Sequence, residues 1–134
     1  MQLTFDLQQP IELVFDYLTD MQKFVSVHPV ISKIELISGN RYLVHETLKL
    51  GPIPVSFTYT VTVESNLQNR TVVIRATVMK LTKIDMHYTL TQLSGQTRVE
   101  ETIHFHSYLP VKSIMQKIFR KQHTQLFQNI DQLK

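Results

Sequence analysis

Two glutamates occupy positions of the chain where apolar residues are expected. Counting every second residue, the neighbours of Glu46 are Tyr42, Val44 and Leu48, and those of Glu101 are Val99, Ile103 and Phe105. Side chains two residues apart point to the same face of a strand, so both carboxylates are predicted to face the protein interior. A buried carboxylate needs a partner, a proton or contact with water.

Two functions suit such carboxylates. They can anchor the polar part of a bound molecule, or they can act as a general acid or base whose pKa is tuned by burial. The structural alternatives are a β-bulge that reverses the alternation, or a carboxylate that reaches solvent at an open end of the sheet. Glu46 and Glu101 are therefore candidates for a ligand anchor and weaker candidates for catalysis.

Other polar residues also interrupt apolar patterns. Gln122 lies within the apolar stripe of the last predicted helix, where it either hydrogen-bonds a ligand or is bonded to the sheet as a core amide. His104 and His106 alternate with Phe105, so they are predicted to face solvent, and without a third ligand they do not define a zinc site. His28, just before Pro29, is placed near a pocket rim in a structural role.

Composition excludes several classes of function. The 134 residues contain no cysteine, which excludes disulfides and thiolate chemistry, and 3 glycines, too few for a phosphate-binding loop. Residues 1–6 lack a signal-peptide pattern and no apolar stretch is long enough to span a membrane, so a cytoplasmic location is expected. The net charge of +3 permits weak contact with a membrane surface and predicts no specific nucleic-acid binding.

Periodicity predicts the elements that position these residues. Alternation over residues 3–8 predicts a strand, and the apolar spacing after Pro10 predicts a helix to Asp20, followed by a short helix over 21–28. From Val30 to Tyr108 the alternation is that of six strands separated by short turns, which favours an antiparallel meander. Pro110 then opens a helix of about 23 residues, roughly 35 Å long, with one apolar stripe.

The order of strand, two helices, six strands and long helix predicts an α+β domain spanning residues 1–134. A curved six- to seven-stranded antiparallel sheet needs a cover over its apolar face, and the C-terminal helix supplies it. A cavity between a curved sheet and a helix is a typical small-molecule site. The residues predicted to line it are Tyr42, Val44, Glu46, Leu48, Phe57, Tyr59, Ala76, Met86, Tyr88, Glu101, Met115, Phe119 and Gln122.

The N-terminal helices resemble those of a known superfamily. Residues 10–20, PIELVFDYLTD, are similar to the opening "P-x-x-V-(F/W)-x-x-(L/I)-x-D" of START-like domains, and Phe24 and Pro29 match the aromatic residue and proline of the next helix. This superfamily includes the birch pollen allergen, polyketide cyclase and coenzyme-Q-binding families. The resemblance implies a helix-grip fold and the binding of a lipid, sterol, polyketide or quinone, sometimes with catalysis by pocket residues.

Three functions remain open on this basis. The first is the binding or carriage of an apolar small molecule by a monomer or homodimer, without a cofactor or metal. The second is a polyketide cyclase or dehydrase reaction, for which Glu46 and Glu101 are the candidate acid and base. The third is a protein-interaction module of the co-chaperone or ribosome-associated type, served by cations of the last helix: Lys112, Lys117, Arg120 and Lys121.

Overall fold

A computed structural model describes residues 1–134 apart from the side chain of Leu50. Within these residues, an antiparallel sheet of seven strands in the order β1-β7-β6-β5-β4-β3-β2 curves around a long helix. The elements are β1 (Gln2–Leu7), α1 (Ile11–Thr19), α2 (Met21–Val27), β2 (Ile31–Ser38), β3 (Arg41–Leu50), β4 (Ile53–Asn66), β5 (Thr71–Val78), β6 (Thr82–Leu93), β7 (Gln96–Ser107) and α3 (Lys112–Asp131). The predicted α+β helix-grip fold is confirmed.

The two short helices are separated by a single residue, Asp20. The side chain of Asp20 accepts hydrogen bonds from the backbone N–H groups of Gln22 and Lys23, at 3.0 and 3.3 Å, and so caps the N-terminus of α2. Its own N–H donates to the carbonyl of Asp16 at 2.9 Å and ends α1. The chain therefore bends sharply here, and α2 turns across one end of the sheet.

The last helix begins two residues later than predicted, and one strand contains a proline. The last helix begins at Lys112 and has 20 residues, because the N–H of Val111 donates to the carbonyl of Leu109 in a tight turn that follows β7. Strand β4 begins at Ile53 and includes Pro54, which pairs with Lys49. Proline is tolerated because this part of β4 extends beyond the end of β5, whose first pair with β4 is Thr77 with Thr60.

The interior is solid where β1, β6 and β7 meet the second half of α3. Phe5 and Phe127 stack with ring centroids 4.5 Å apart, and Leu126 and Ile130 are fully buried beside them. The end of α3 is also tied by hydrogen bonds: the N–H of Gln8 donates to Asp131, and the amide of Asn129 donates to the carbonyl of Val27, both at 2.8 Å. This half of the helix is thus anchored, whereas the first half crosses the concave face of β3–β6.

Candidate functional site

A cavity of about 420 Å³ lies between the concave face of the sheet and the first half of α3. Buried side chains of α2, among them Met21 and Phe24, close one end of it. Its walls are mostly apolar. The apolar wall residues include Ile31, Ile34, Val44, Leu48, Phe57, Val61, Ile74, Ala76, Val78, Ile84, Met86, Val111, Met115, Ile118 and Phe119.

Most residues predicted to line a pocket do line this cavity. Those that line it are Val44, Glu46, Leu48, Phe57, Tyr59, Ala76, Met86, Tyr88, Met115, Phe119 and Gln122. Two predicted residues, Tyr42 and Glu101, do not. That these side chains bind a ligand stays a prediction, since lining a cavity is a geometric property.

Tyr42 lies on the predicted face of the sheet, the one that packs on the helices, but it is outside the cavity. Its ring borders a separate shallow groove formed with Leu36 and with Thr19–Gln22 at the junction of α1 and α2. The bend at Asp20 places the start of α2 between Tyr42 and the cavity. Strand alternation gives the face of a residue but not its position relative to a helix that covers part of that face.

Glu101 faces the interior as predicted, but an imidazole separates its carboxylate from the cavity. His123 of α3 places Nδ1 at 2.8 Å from Oε1 and 2.7 Å from Oε2 of Glu101, and the two side chains are almost fully buried. Nδ1 therefore donates its proton to the Glu101 carboxylate, which orients the ring. Because His123 lines the cavity, the structure gives it the position that the sequence had suggested for Glu101.

Sequence reasoning missed His123, although a signal was present. His123 lies four residues after Phe119 and four before Phe127, so it falls on the apolar stripe of α3. In the structure its ring packs against Phe119, with centroids 5.1 Å apart, and lies 6.4 Å from the ring of Tyr88. Its Nε2 has no hydrogen-bonding partner among the side chains that the structure describes.

Glu46 and Tyr59 form a hydrogen-bonded pair on the cavity wall. The Tyr59 hydroxyl donates to Oε1 of Glu46 at 2.7 Å. Burial raises the pKa of the Glu46 carboxyl, although the Tyr59 hydrogen bond and the nearby charge of His123 oppose this. Burial, and then the Glu46 charge, also raises the pKa of Tyr59 well above its usual range. The pair therefore offers a carboxyl group whose neutral form is favoured by its surroundings.

His28 is held in one tautomer at the α2 end of the cavity. Its Nδ1 accepts hydrogen bonds from the backbone N–H groups of Val30 and Ile31, at 3.3 and 3.2 Å, so Nε2 carries the proton. Burial, and to a smaller extent the charge of His123, whose ring centroid is 6.5 Å away, lowers the pKa of His28 to about 3. His28 is thus a neutral hydrogen-bond donor over the physiological pH range.

Two further polar groups complete this part of the wall. Gln122 is buried and lines the cavity, and no hydrogen bond joins its amide to the sheet among the described residues. The Tyr88 hydroxyl lies 3.8 Å from the sulfur of Met86, and burial followed by the charge of Glu101 raises its pKa well above the usual range. Gln122 therefore has hydrogen-bonding capacity left for a ligand.

The remaining histidines predicted to face solvent do so. His104 and His106 are exposed on the convex face of β7, away from the cavity. Among the described residues, no group of three or more metal-ligating side chains is present. Nor is any described helix long and apolar enough to cross a membrane.

The curved sheet gripping a long helix over a cavity defines a START-like, helix-grip domain. The sequence profile of the family described as "Polyketide cyclase / dehydrase and lipid transport" matches residues 1–133, so the chain belongs to that family. A sequence search of curated proteins finds no significant match.

Solved structures share this fold at low sequence identity. The structure of Ara h 8.0201 is similar with a TM-score of 0.76 and 16% identity, covering 98% of this chain and 93% of that one. The Zhui aromatase/cyclase from Streptomyces sp. R1128 gives a TM-score of 0.74 at 11% identity, with 97% and 89% coverage. A conserved protein from Geobacillus kaustophilus gives 0.80 at 12% identity, with 97% and 91% coverage.

Proposed function

We propose that this protein binds an apolar small molecule with one oxygen-bearing polar group, enclosed between the sheet and α3. The observation that carries the proposal is the combination of apolar walls with one cluster of hydrogen-bonding groups: His28, Glu46, Tyr59, Gln122 and His123. The volume of about 420 Å³ is within the range of roughly 300–1,000 Å³ that small-molecule sites occupy. Membership of a family whose description includes lipid transport supports the same function.

The polar cluster indicates which end group the ligand carries. His28 presents an N–H donor from Nε2, Gln122 presents both a donor and an acceptor, and Glu46 presents the carboxyl oxygen that Tyr59 leaves free. Donors and acceptors together suit a carbonyl or hydroxyl group. A carboxylate ligand suits them less, because it would approach the carboxyl groups of Glu46 and Glu101 in a buried site.

The test is a thermal-shift screen with fatty acids, fatty alcohols, quinones and aromatic ketones, combined with native mass spectrometry. A ligand at a hundredfold excess over Kd stabilises the native state by about 2.7 kcal/mol, which raises the Tm of a domain of this size by roughly 10 °C. Fatty alcohols, quinones or ketones are expected to give larger shifts than the matching acids.

A variant that fills the cavity provides the control. Ala76 lines the cavity and is buried, so Ala76→Phe is expected to fill the space and abolish the shift while the protein stays folded. Thr77→Phe, one residue along on the convex face of β5, should leave binding unchanged. If no compound shifts Tm, and Ala76→Phe destabilises the fold by about 1–3 kcal/mol as overpacking does, the interior does not hold a ligand.

A second candidate function, acid–base catalysis, is favoured by one specific observation. His123 faces the cavity with its Nδ1–H held by the buried carboxylate of Glu101, which is the arrangement a general base requires. Such a base suits removal of a proton beside a carbonyl, the first step of a polyketide cyclisation or dehydration. Glu46, whose pKa is raised by burial, would supply the acid.

The two candidates are separated by substituting His123. Gln in place of His123 can still donate a hydrogen bond to Glu101 but cannot act as a base. Turnover of a linear polyketone that is lost in His123→Gln, with binding retained, would support catalysis. Equal turnover in the two proteins would exclude His123 as the base. No turnover in either protein, alongside tight binding, would leave binding as the function.

A further inference from the structure

The cavity opens to the surface at the end of the sheet opposite α2. Met79, in the turn between β5 and β6, and Ile114, in the first turn of α3, both line the cavity. Their exposed fractions are nevertheless 75% and 60%. A residue that lines a cavity and is also largely exposed marks its mouth, so the mouth lies between this turn and the start of α3.

The loops around the mouth form a surface that we call the tip: residues 49–55, 79–83 and 108–117. The antiparallel topology brings the β3–β4 turn, the β5–β6 turn and the β7–α3 loop to the same end of the sheet. Exposed apolar side chains are concentrated there. They are Ile53, Val55, Met79, Leu81, Tyr108, Leu109 and Ile114. Such a concentration on a small domain marks an interaction site.

The charge of the tip has one sign. Its sequence contains Lys49, Lys80, Lys83, Lys112 and Lys117 and no aspartate or glutamate, although the whole chain has 11 acidic residues. All five lysines are exposed, and none forms a salt bridge with the side chains that the structure describes. Apolar side chains among unpaired lysines complement a partner whose outer layer is anionic and whose interior is apolar.

The β5–β6 turn has a strained backbone conformation, and this strain does not stabilise the fold. Met79 and Lys80 have φ values of 55° and 60°, and the N–H of Leu81 donates to the carbonyl of Val78 at 3.2 Å. Two central residues with positive φ are typical of a type I′ turn, which strongly prefers Asn-Gly. Here a long apolar side chain and a lysine occupy these positions and project from the tip, and such strain is frequent at functional sites.

We propose that the tip docks on an anionic lipid surface, with its lysines at the headgroups and its exposed apolar side chains in the interface. Interfacial binding of this kind combines buried apolar area with attraction to anionic lipids. The mouth of the cavity would then face the lipid, which gives an apolar ligand a path that avoids water. This last step rests on the proposed function, whereas docking itself does not.

The test is flotation of the full chain with vesicles of phosphatidylcholine alone or with about 30% phosphatidylglycerol. Binding is expected to the anionic vesicles and to weaken from about 50 to 200 mM salt, as screening increases. Each of Lys80→Gln and Lys112→Gln is expected to weaken the affinity about fivefold. The matched control is Lys121→Gln, an exposed lysine of α3 about 13 Å along the helix from Lys112, which should leave binding unchanged.

The turn offers a variant that separates docking from stability. Met79→Asn combined with Lys80→Gly restores the preferred type I′ residues, so it is expected to raise Tm while weakening vesicle binding. Equal binding to both kinds of vesicle, or equal losses from Lys80→Gln and Lys121→Gln, would overturn the proposal. Absence of vesicle binding alongside an intact ligand-induced thermal shift would overturn docking and leave the proposed function standing.

Discussion

His28 provides a quantitative test of the polar end of the cavity. The pKa of this side chain is lowered from 6.5 to about 3, chiefly by burial. Between these two pH values the unfolded chain binds a proton that the folded protein does not, so stability falls as the pH decreases from 6.5 towards 3. Each pH unit in this window removes about 1.4 kcal/mol, giving about 5 kcal/mol over the full window. This is a large part of the stability of a typical domain.

The matched variant is His28→Asn. The Oδ1 of asparagine can accept the backbone N–H groups of Val30 and Ile31 in place of Nδ1, but the side chain does not titrate. At pH 7 we expect the variant to be about 1 kcal/mol less stable, because the smaller side chain loses contacts with Phe24, whose ring centroid is 5.3 Å from that of His28. At pH 4.5 the order should be reversed, with the variant about 2 kcal/mol more stable.

Urea unfolding followed by far-UV circular dichroism measures both proteins from pH 7 to pH 4.5. The control is His104→Asn, which makes the same substitution at an exposed histidine away from the cavity. Nitrogen NMR of the imidazoles should show the Nε2–H tautomer for His28. Parallel curves for His28→Asn and the unsubstituted protein, or an Nδ1–H tautomer, would refute the account of a buried neutral donor.

Two further predictions concern the cavity wall and the long helix. Burial raises the pKa of Glu46, so the unfolded chain loses this proton first and stability declines as the pH rises above 4.5. Glu46→Gln keeps an acceptor for Tyr59, so in urea unfolding it should be more stable than the unsubstituted protein at pH 7 and similar to it at pH 4. A difference in stability between the two proteins that does not change with pH would contradict this. In α3, Leu126→Ala should destabilise the protein by about 3 kcal/mol because Leu126 is fully buried. Ile118→Ala, beside the cavity, should destabilise it by less than about 1 kcal/mol, and equal losses of Tm would show that no cavity separates Ile118 from the sheet.

The strands and their faces were predictable because alternation is a local property. Alternation predicts the face of the sheet on which Val44, Glu46 and Leu48 lie, because β3 is regular over these residues. The dipeptides Gly39-Asn40 and Ser94-Gly95 are typical turn sequences, and in the structure each lies directly between two strands. The start of α3 was less predictable, since the hydrogen bond from Val111 to Leu109 is a feature of one particular loop.

The contacts across the cavity could not be predicted because they join distant parts of the chain. Glu101 and His123 are 22 residues apart, and their pairing depends on the angle at which α3 crosses β7. Glu101 was recognised as buried, but its partner was not, since a histidine on an apolar stripe resembles an ordinary core residue. The separation of Tyr42 from the cavity depends in the same way on the bend at Asp20.

The sizes of the facing side chains explain why one helix covers both a solid core and a cavity. Beneath the second half of α3 the sheet presents large rings, such as those of Phe5 and Tyr88, which reach Phe127 at centroid distances of 4.5 and 6.2 Å. Beneath the first half, the small side chains Val44, Val61 and Ala76 stand among larger ones such as Phe57 and Met86, and their short reach leaves part of the gap unfilled. The anchored half fixes the helix on the sheet, so the first half can stay in place over an empty volume without the contacts that would close it. The packed core and the cavity therefore lie beneath different turns of the same helix.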